Sequence, residues 1–207
     1  MSNSYKYIDN QYTYIDPDTG LLKNLLGITD AEVLLFVESG AVTKRLQGLY
    51  ENPIRINGIA NLFQIHEYLF QDLYSWAGKR RMVEISKDGK QFFPIGNFDN
   101  ALKFIDSLIN EYYRISSADI KSIAQKLAEI LDNINYLHPF REGNGRTQRE
   151  FLRLLALEKG FHLNLNPPDN KNVYDRYMKG TVESDLDILT TLIFESLNSK
   201  DERKNGT

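Results

Sequence analysis

The sequence predicts an all-α domain carrying one inserted β-hairpin, and three observations carry that prediction. Apolar residues recur at helical spacing through most of the chain, as in Ile59, Leu62, Phe63, Ile65, His66, Leu69, Phe70 and Leu73. One stretch departs from that period. In "AGKRRMVEISKDGKQFFPI", short extended-type runs (Met82-Val83, Ile85, Phe92-Phe93) flank a "KDGK" turn signal. The chain has 207 residues with no internal repeat or low-complexity linker, a length suited to one domain with a substantial core.

The elements follow in order. Residues 1–20 read as an irregular arm that ends in the turn cluster "DPDTG". Thr29 with Glu32 forms a capping-box pair and opens a helix to about Gly48; "ENPIRING" then breaks the pattern. A second helix spans 59–76, and the hairpin occupies 79–95 as a flap. Helices resume at 99–115, where Leu102, Phe104, Ile105, Leu108 and Ile109 form a stripe, and from Ser117 or Asp119 to Leu137. The segment 138–159 is a loop followed by a helix from Thr147, closed by Gly160. "NPPD" marks a loop, 185–197 is the last helix, and 199–207 is a charged, frayed tail, so the domain proper is 21–198.

Composition excludes several classes. An apolar fraction of 42% with 26% charged residues belongs to an ordinary globular chain. A net charge of −3 offers no global attraction to nucleic acid or anionic lipid, so no direct nucleic-acid partner is expected. The absence of cysteine removes disulfides, cysteine nucleophiles and cysteine metal sites. The polar, tyrosine-rich N-terminus carries no apolar signal core, and no run approaches the ~18 apolar residues of a membrane span. These features fit a cytoplasmic protein and leave export as an effector by a signal-independent system open.

The stretch "HPFREGNGRTQREF" concentrates the chemistry. Gly143 and Gly145 flank Asn144 where a helix begins, so the backbone can approach a ligand and its orphan N–H groups point outward. A helix N-terminus of that kind is an anion site. Arg146 and Arg149 lie three apart on one helical face and suit bidentate pairing with phosphate. A carboxylate at the lip, Glu142, makes electrostatic sense in a phosphate cradle if it holds Mg²⁺. His138 is the nearby group able to act as a base near neutral pH, Pro139 ends the helix behind it, and Phe140 reads as a buried anchor. Together these groups point to phosphoryl or nucleotidyl transfer. Taken singly, each has a plainer role as a cap, a turn former or a solvated face.

The same residues resemble the Fic family signature, His-x-Phe-x-(Asp/Glu)-Gly-Asn-Gly-Arg-x-x-Arg, and match it at every specified position from His138 to Arg149. "IHEYLFQDLYSWAGKRR" looks like the family's helix and flap entry, and "NQYTYIDPDTG" is similar to the arm of its short members, so the resemblance spans about 12–198. It implies a Fic-type helical domain that transfers AMP from ATP to a Ser, Thr or Tyr hydroxyl of a target protein and releases pyrophosphate. His138 would be the base and Glu142 the Mg²⁺ ligand. Gly143, Asn144 and Gly145 would form the anion hole, Arg146 would hold the β- and γ-phosphates, and Arg149 the γ-phosphate. The flap would dock the target as an added strand. Arg141 occupies a variable motif position and is expected to face solvent or the target.

Many members carry an inhibitory helix, (Ser/Thr)-x-x-x-Glu-(Gly/Asn), whose glutamate pairs with the second motif arginine. Here "QGLYEN" and "TLIFES", containing Glu51 and Glu195, are near misses that read better as ordinary helix segments. The resemblance therefore suggests a separate small antitoxin-like inhibitor, and toxin-type members suggest targets such as DNA gyrase. Two further readings remain at this point: transfer of another phosphate-bearing group, against which the intact Glu142 and Gly145 argue, and a non-catalytic nucleotide-binding regulator.

Overall fold

The computed structural model describes residues 5–7, 12–87 and 89–199. Among them the chain forms strand β1 (Tyr5–Tyr7), helices α1 (Ala31–Glu51) and α2 (Ala60–Phe70), and a hairpin of β2 (Ile85–Lys87) and β3 (Lys90–Gln91). Helices α3 (Phe98–Arg114), α4 (Ile120–Leu137) and α5 (Asn144–Glu158) follow, then β4 (Phe161–His162), α6 (Lys171–Glu183), α7 (Leu186–Ser196) and β5 (Asn198–Ser199). The expected mostly helical architecture with a small antiparallel hairpin is observed.

Helix α4 is the centre. Ile123, Ala124, Leu127, Ala128, Ile130, Leu131 and Ile134 are wholly buried, because α3, α5, α6 and α7 all pack against it. A helix surrounded this way carries apolar residues beyond a single stripe, and each buried Leu or Ile stabilises the fold by about 1.5–3 kcal/mol. Helix α5 is its partner, with Phe151, Leu152, Leu154, Leu155 and Ala156 equally buried. The short loop 138–143 joining them is thereby anchored at both ends in the core.

Local chemistry sets the boundaries. Asp30, rather than Thr29, caps α1, its Oδ1 accepting from the N–H groups of Glu32 and Val33 at 2.9 Å each. Asp119 and Asp185 cap α4 and α7 by accepting from Ser122 and Ile188. The second helix stops at Phe70, earlier than its apolar period suggests, because Leu73 and Tyr74 both donate to the Phe70 carbonyl and fold the chain into turns. Leu73, Tyr74 and Trp76 stay buried through those turns, so the apolar period outlasts the helix. Helix α5 starts three residues before Thr147, at Asn144, because Gly143 takes φ = +79° as its N-cap.

Helix α6 and strands β1, β4 and β5 were not anticipated. Helix α6 is polar overall, and Val173, Tyr174, Tyr177 and Met178 form the stripe that packs on the core. Its Gly180 permits close approach to α7, since a Cβ there would stand 2.6 Å from Leu189 Cδ2. The hairpin strands are shorter than the 79–95 flap, with Met82-Val83 and Phe92-Phe93 outside them. β1 pairs antiparallel with β2, Tyr5 opposite Lys87, so part of the arm read as irregular is a strand of the flap sheet. β5 pairs with β4, tying the start of the expected frayed tail to the domain. The rest of that tail, residues 200–207, lies outside the described residues.

Candidate active site

Two histidines, one on each side of the loop, determine its shape. His66 on α2 is fully buried and stacked on Phe140, ring centroids 3.7 Å apart. Its Nδ1 accepts from the Gly78 N–H at 2.8 Å, so its Nε2–H donates to the Glu142 carbonyl at 3.0 Å. Burial pushes its pKa down to about 4 and keeps the ring neutral. Phe140, 1% exposed, is the anchor the sequence suggested. Asn144 closes the turn: its Oδ1 accepts from Phe140 N–H at 3.0 Å and its Nδ2 donates to Phe140 O at 2.8 Å.

His138 ends α4 in the left-handed region, φ = +44°, a strained setting for a residue ahead of proline. Arg81 holds it there. The Arg81 Nε donates to His138 O at 2.8 Å, Nη1 to Val83 O at 2.7 Å, and Nη2 to Phe93 O, while its backbone N–H donates to Pro139 O at 2.7 Å. One buried guanidinium thus ties both legs of the flap to the histidine's backbone. The imidazole lies under the flap, stacked on Phe92 at 3.9 Å. Its Nδ1 is 3.3 Å from Asn135 O; donation there leaves Nε2 as the basic nitrogen. Burial, with Arg81 and Lys87 adding positive charge, lowers its pKa to about 3, against the Asn135 carbonyl, which raises it.

A cleft of about 480 Å³ opens between the flap, the C-terminal end of α4, the start of α5 and α6. His138 and Phe92 face it from one side, Gly145, Gln148 and Arg149 from another, and Tyr174, Tyr177 and Met178 of α6 from a third. Lys90 Nζ donates to Val182 O at 3.2 Å, joining flap to α6 across its mouth. Arg149 lies over the rings of Tyr174 and Tyr177, 5.5 and 5.3 Å from their centroids. A second cavity of about 180 Å³ lies behind, between Leu46 and Tyr50 of α1, Arg146, Arg149 and Arg153 of α5, and Leu165. Arg149 lines both.

The remaining motif residues differ in their partners. Arg146 and Arg149 both line the second cavity, as expected of one helical face, but only Arg149 also faces the main cleft, while Arg146 Nη2 pairs with Glu38 Oε1 of α1 at 2.6 Å. Glu142, which lines neither cavity, has its side chain 39% exposed, with Oε1 accepting from Gly143 N–H at 2.9 Å and 3.7 Å from Arg146 Nη2. Arg141 is 5% exposed, which corrects the expectation that it faces solvent or a target; the loop's inward curl around Phe140 carries it into the interior. Glu195 pairs with Arg176 at 2.6 Å and Glu51 accepts from Gln47; neither forms an ion pair with Arg149. Sequence reasoning missed Glu38, Tyr74, Arg81, Tyr174 and Tyr177 as site residues. The one available signal was that Arg81 is a charged residue at the turn between an apolar helix and the hairpin.

The Fic/DOC family model matches residues 58–156. A probable protein adenylyltransferase Fic from Salmonella typhimurium is 32% identical over 163 residues, which cover 77% of this chain and 80% of that protein. The chain belongs to the Fic/DOC family. The protein adenylyltransferase VbhT of Bartonella schoenbuchensis is 33% identical over 196 residues, 93% of this chain; this Fic-family chain spans 40% of that relative's length. Among solved structures, the type IV secretion system effector protein BepA superposes with a TM-score of 0.78 at 28% identity, over 92% of this chain and 70% of that one. The BepC effector of Bartonella tribocorum, solved with bound AMPPNP, superposes with a TM-score of 0.80 at 20% identity, over 91% and 98%. The Fic fold of this chain is thus established.

Proposed function

We propose that this Fic-family protein transfers AMP from ATP to a hydroxyl side chain of a target protein, releasing pyrophosphate. The observation that carries the reading is the shared cleft, in which His138 faces the same space as Gly145 and Arg149 at the N-terminal end of α5. Relatives named protein adenylyltransferase and a fold neighbour with bound AMPPNP support it.

In the proposed step, His138 Nε2 takes the proton of the target hydroxyl as its oxygen bonds to the α-phosphorus; the bond from that phosphorus to the β-bridging oxygen breaks, and the electron pair leaves with pyrophosphate. The first-turn N–H groups of α5, at Asn144 and Gly145, and the helix dipole behind them stabilise the phosphate charge. The Gly143 N–H is already occupied by the Glu142 carboxylate, so its share in the anion hole requires that carboxylate to turn. Arg149 takes the γ-phosphate, and Arg146 the β- and γ-phosphates. Tyr174 and Tyr177 offer an aromatic wall for the base.

Glu142 would hold Mg²⁺. A single accessible carboxylate suits that ion: the Glu142 side chain is 39% exposed, and Mg²⁺ bound with phosphates needs only one or two protein carboxylates. Bound there, it would offset phosphate charge.

A target segment would add to the flap at β3. The far edge of the sheet is already taken by β1, whereas Lys90 and Gln91 line the cleft. Regulation by a small antitoxin-like partner fits the second cavity, through which an acidic group could reach Arg149 without entering the main cleft. The protein is read as cytoplasmic, or exported as an effector like its Bartonella fold neighbours.

The test is incubation of the full chain with labelled ATP and a cell lysate, beside His138→Ala. Wild type should label a discrete band whose peptide mass gains AMP, while the variant keeps its affinity for a non-hydrolysable ATP analogue. Equal labelling by His138→Ala would refute the mechanism, and a phosphate or other adduct would assign a different transferred group.

A further inference from the structure

Arg146 is held by residues that lie outside both the motif and the 58–156 region matching the family model, or that the motif does not mention. Glu38, on α1, is 7% exposed and gives Oε1 to Arg146 Nη2 at 2.6 Å. Its other oxygen accepts from the hydroxyl of Tyr74, a residue 1% exposed and stacked on Trp76 at 4.4 Å with a 16° interplanar angle. The carboxylate is therefore anchored on one oxygen by the buried Tyr74 hydroxyl and presents the other to Arg146. The guanidinium is also seated on the Phe70 ring, 4.8 Å from its centroid.

This arrangement occupies one terminal nitrogen and one face of Arg146. Its Nη1 and Nε carry no carboxylate partner among the described residues, and the Nη2 N–H that Glu38 leaves unused completes a parallel donor pair with one of them, the geometry that suits phosphate oxygens. An arginine without such support must give up side-chain entropy when it meets its ligand. A buried carboxylate on a rigid phenol removes that cost beforehand and steadies a positive charge in a partly buried place.

We propose that Glu38, itself held by Tyr74, is a positioning residue that sets Arg146 for the polyphosphate of the nucleotide. It rests on the reading above that Arg146 binds ATP phosphates. A simple competitor would sit on a mobile side chain; Glu38 is clamped, and its release is not required for phosphate to reach the open edge of the guanidinium.

The experiment compares binding of a non-hydrolysable ATP analogue and of AMP to the full chain by calorimetry, with melting temperature recorded for each variant. Glu38→Ala should weaken the ATP analogue about tenfold, and Glu38→Gln and Tyr74→Phe about threefold each, with AMP affinity held within about twofold. If Glu38→Ala fails to fold, the two conservative variants carry the same comparison. Parallel loss of ATP analogue and AMP affinity would mean a merely structural role and overturns the proposal. Unchanged or tighter ATP-analogue binding overturns it too, the latter marking Glu38 as a competitor. Arg146→Ala separates the two levels: if it leaves ATP-analogue affinity intact, the phosphate role of Arg146 falls and this proposal with it. If Arg146→Ala weakens binding and the Glu38 variants do not, the role of Glu38 alone falls.

Discussion

The side chain of Arg81 donates to the backbone carbonyl of His138 at 2.8 Å, although the two residues lie 57 positions apart. The same guanidinium reaches carbonyls at both legs of the flap, Val83 and Phe93. The flap and the histidine backbone therefore form one mechanical unit.

Arg81→Lys keeps the charge and loses the planar fork, so carbonyls that Arg81 served become unsatisfied. The variant should lose about 1–3 kcal/mol of stability in urea titration and about tenfold or more in the rate of target labelling, since small misplacements of reacting groups are costly. ATP affinity, which depends on α5, should change much less. Labelling at the wild-type rate would mean that the clamp does not orient His138.

Gly143→Ala tests the loop. The position has φ = +79°, and a Cβ would stand 2.4 Å from Cζ of the fully buried Phe70. Backbone strain and displaced packing together should cost about 2–4 kcal/mol, read as a lower denaturation midpoint with an unchanged slope. A loss below 0.5 kcal/mol would show that the left-handed turn is dispensable.

His66 and His138 predict the acid response. Their folded-state pKa values, about 4 and about 3, lie below the ordinary histidine value near 6.5. Below pH 6.5 the unfolded chain binds protons that the folded one does not, so stability is full above that pH and falls beneath it. The loss is about 1.4 kcal/mol per pH unit for each histidine, levelling off near pH 4 for His66 and pH 3 for His138. Charged groups beside them act in the same direction, Arg146 near His66 and Arg81 and Lys87 near His138. Urea titrations between pH 7.5 and 5 should show the decline, with roughly half the slope in His138→Ala. A flat profile across that range would contradict the buried, neutral state of both rings.

Arg153 and Glu150 form a buried pair at 2.6 Å, and Arg153 also donates to Leu49 O at 3.1 Å, joining α5 to the end of α1. Arg153→Ala strands a buried carboxylate and should cost about 3–5 kcal/mol, whereas the double replacement Glu150→Met with Arg153→Met should recover most of that loss. Additive losses in the double variant would show that the pair is not coupled.

Much of the site was legible because its chemistry is contiguous. From His138 to Arg149 the helix stop, the anchor, the glycine turn and the arginines follow one another, and the loop between two core helices keeps them together. Arg141 was misplaced because sequence order does not reveal which way a curled loop turns its side chains. Helix α6 went unread although Val173, Tyr174, Tyr177 and Met178 recur at helical spacing, because polar residues dominate the segment; its close seat against α7, where Gly180 meets Leu189, is a contact between helices that no sequence pattern displays.

By itself the sequence determined the helical class, the position of the hairpin and the glycine turn that opens α5, all of which depend on near neighbours in the chain. Tertiary structure decided which distant groups control that turn: His66 on the Glu142 carbonyl, Arg81 on His138, Glu38 and Tyr74 on Arg146, and Tyr174 and Tyr177 beside Arg149. These pairings arise only when α1, α2, α6 and the flap are packed around the central helices. The energy of a hydrogen bond depends on the distance between its groups in space, and separation along the chain does not encode it.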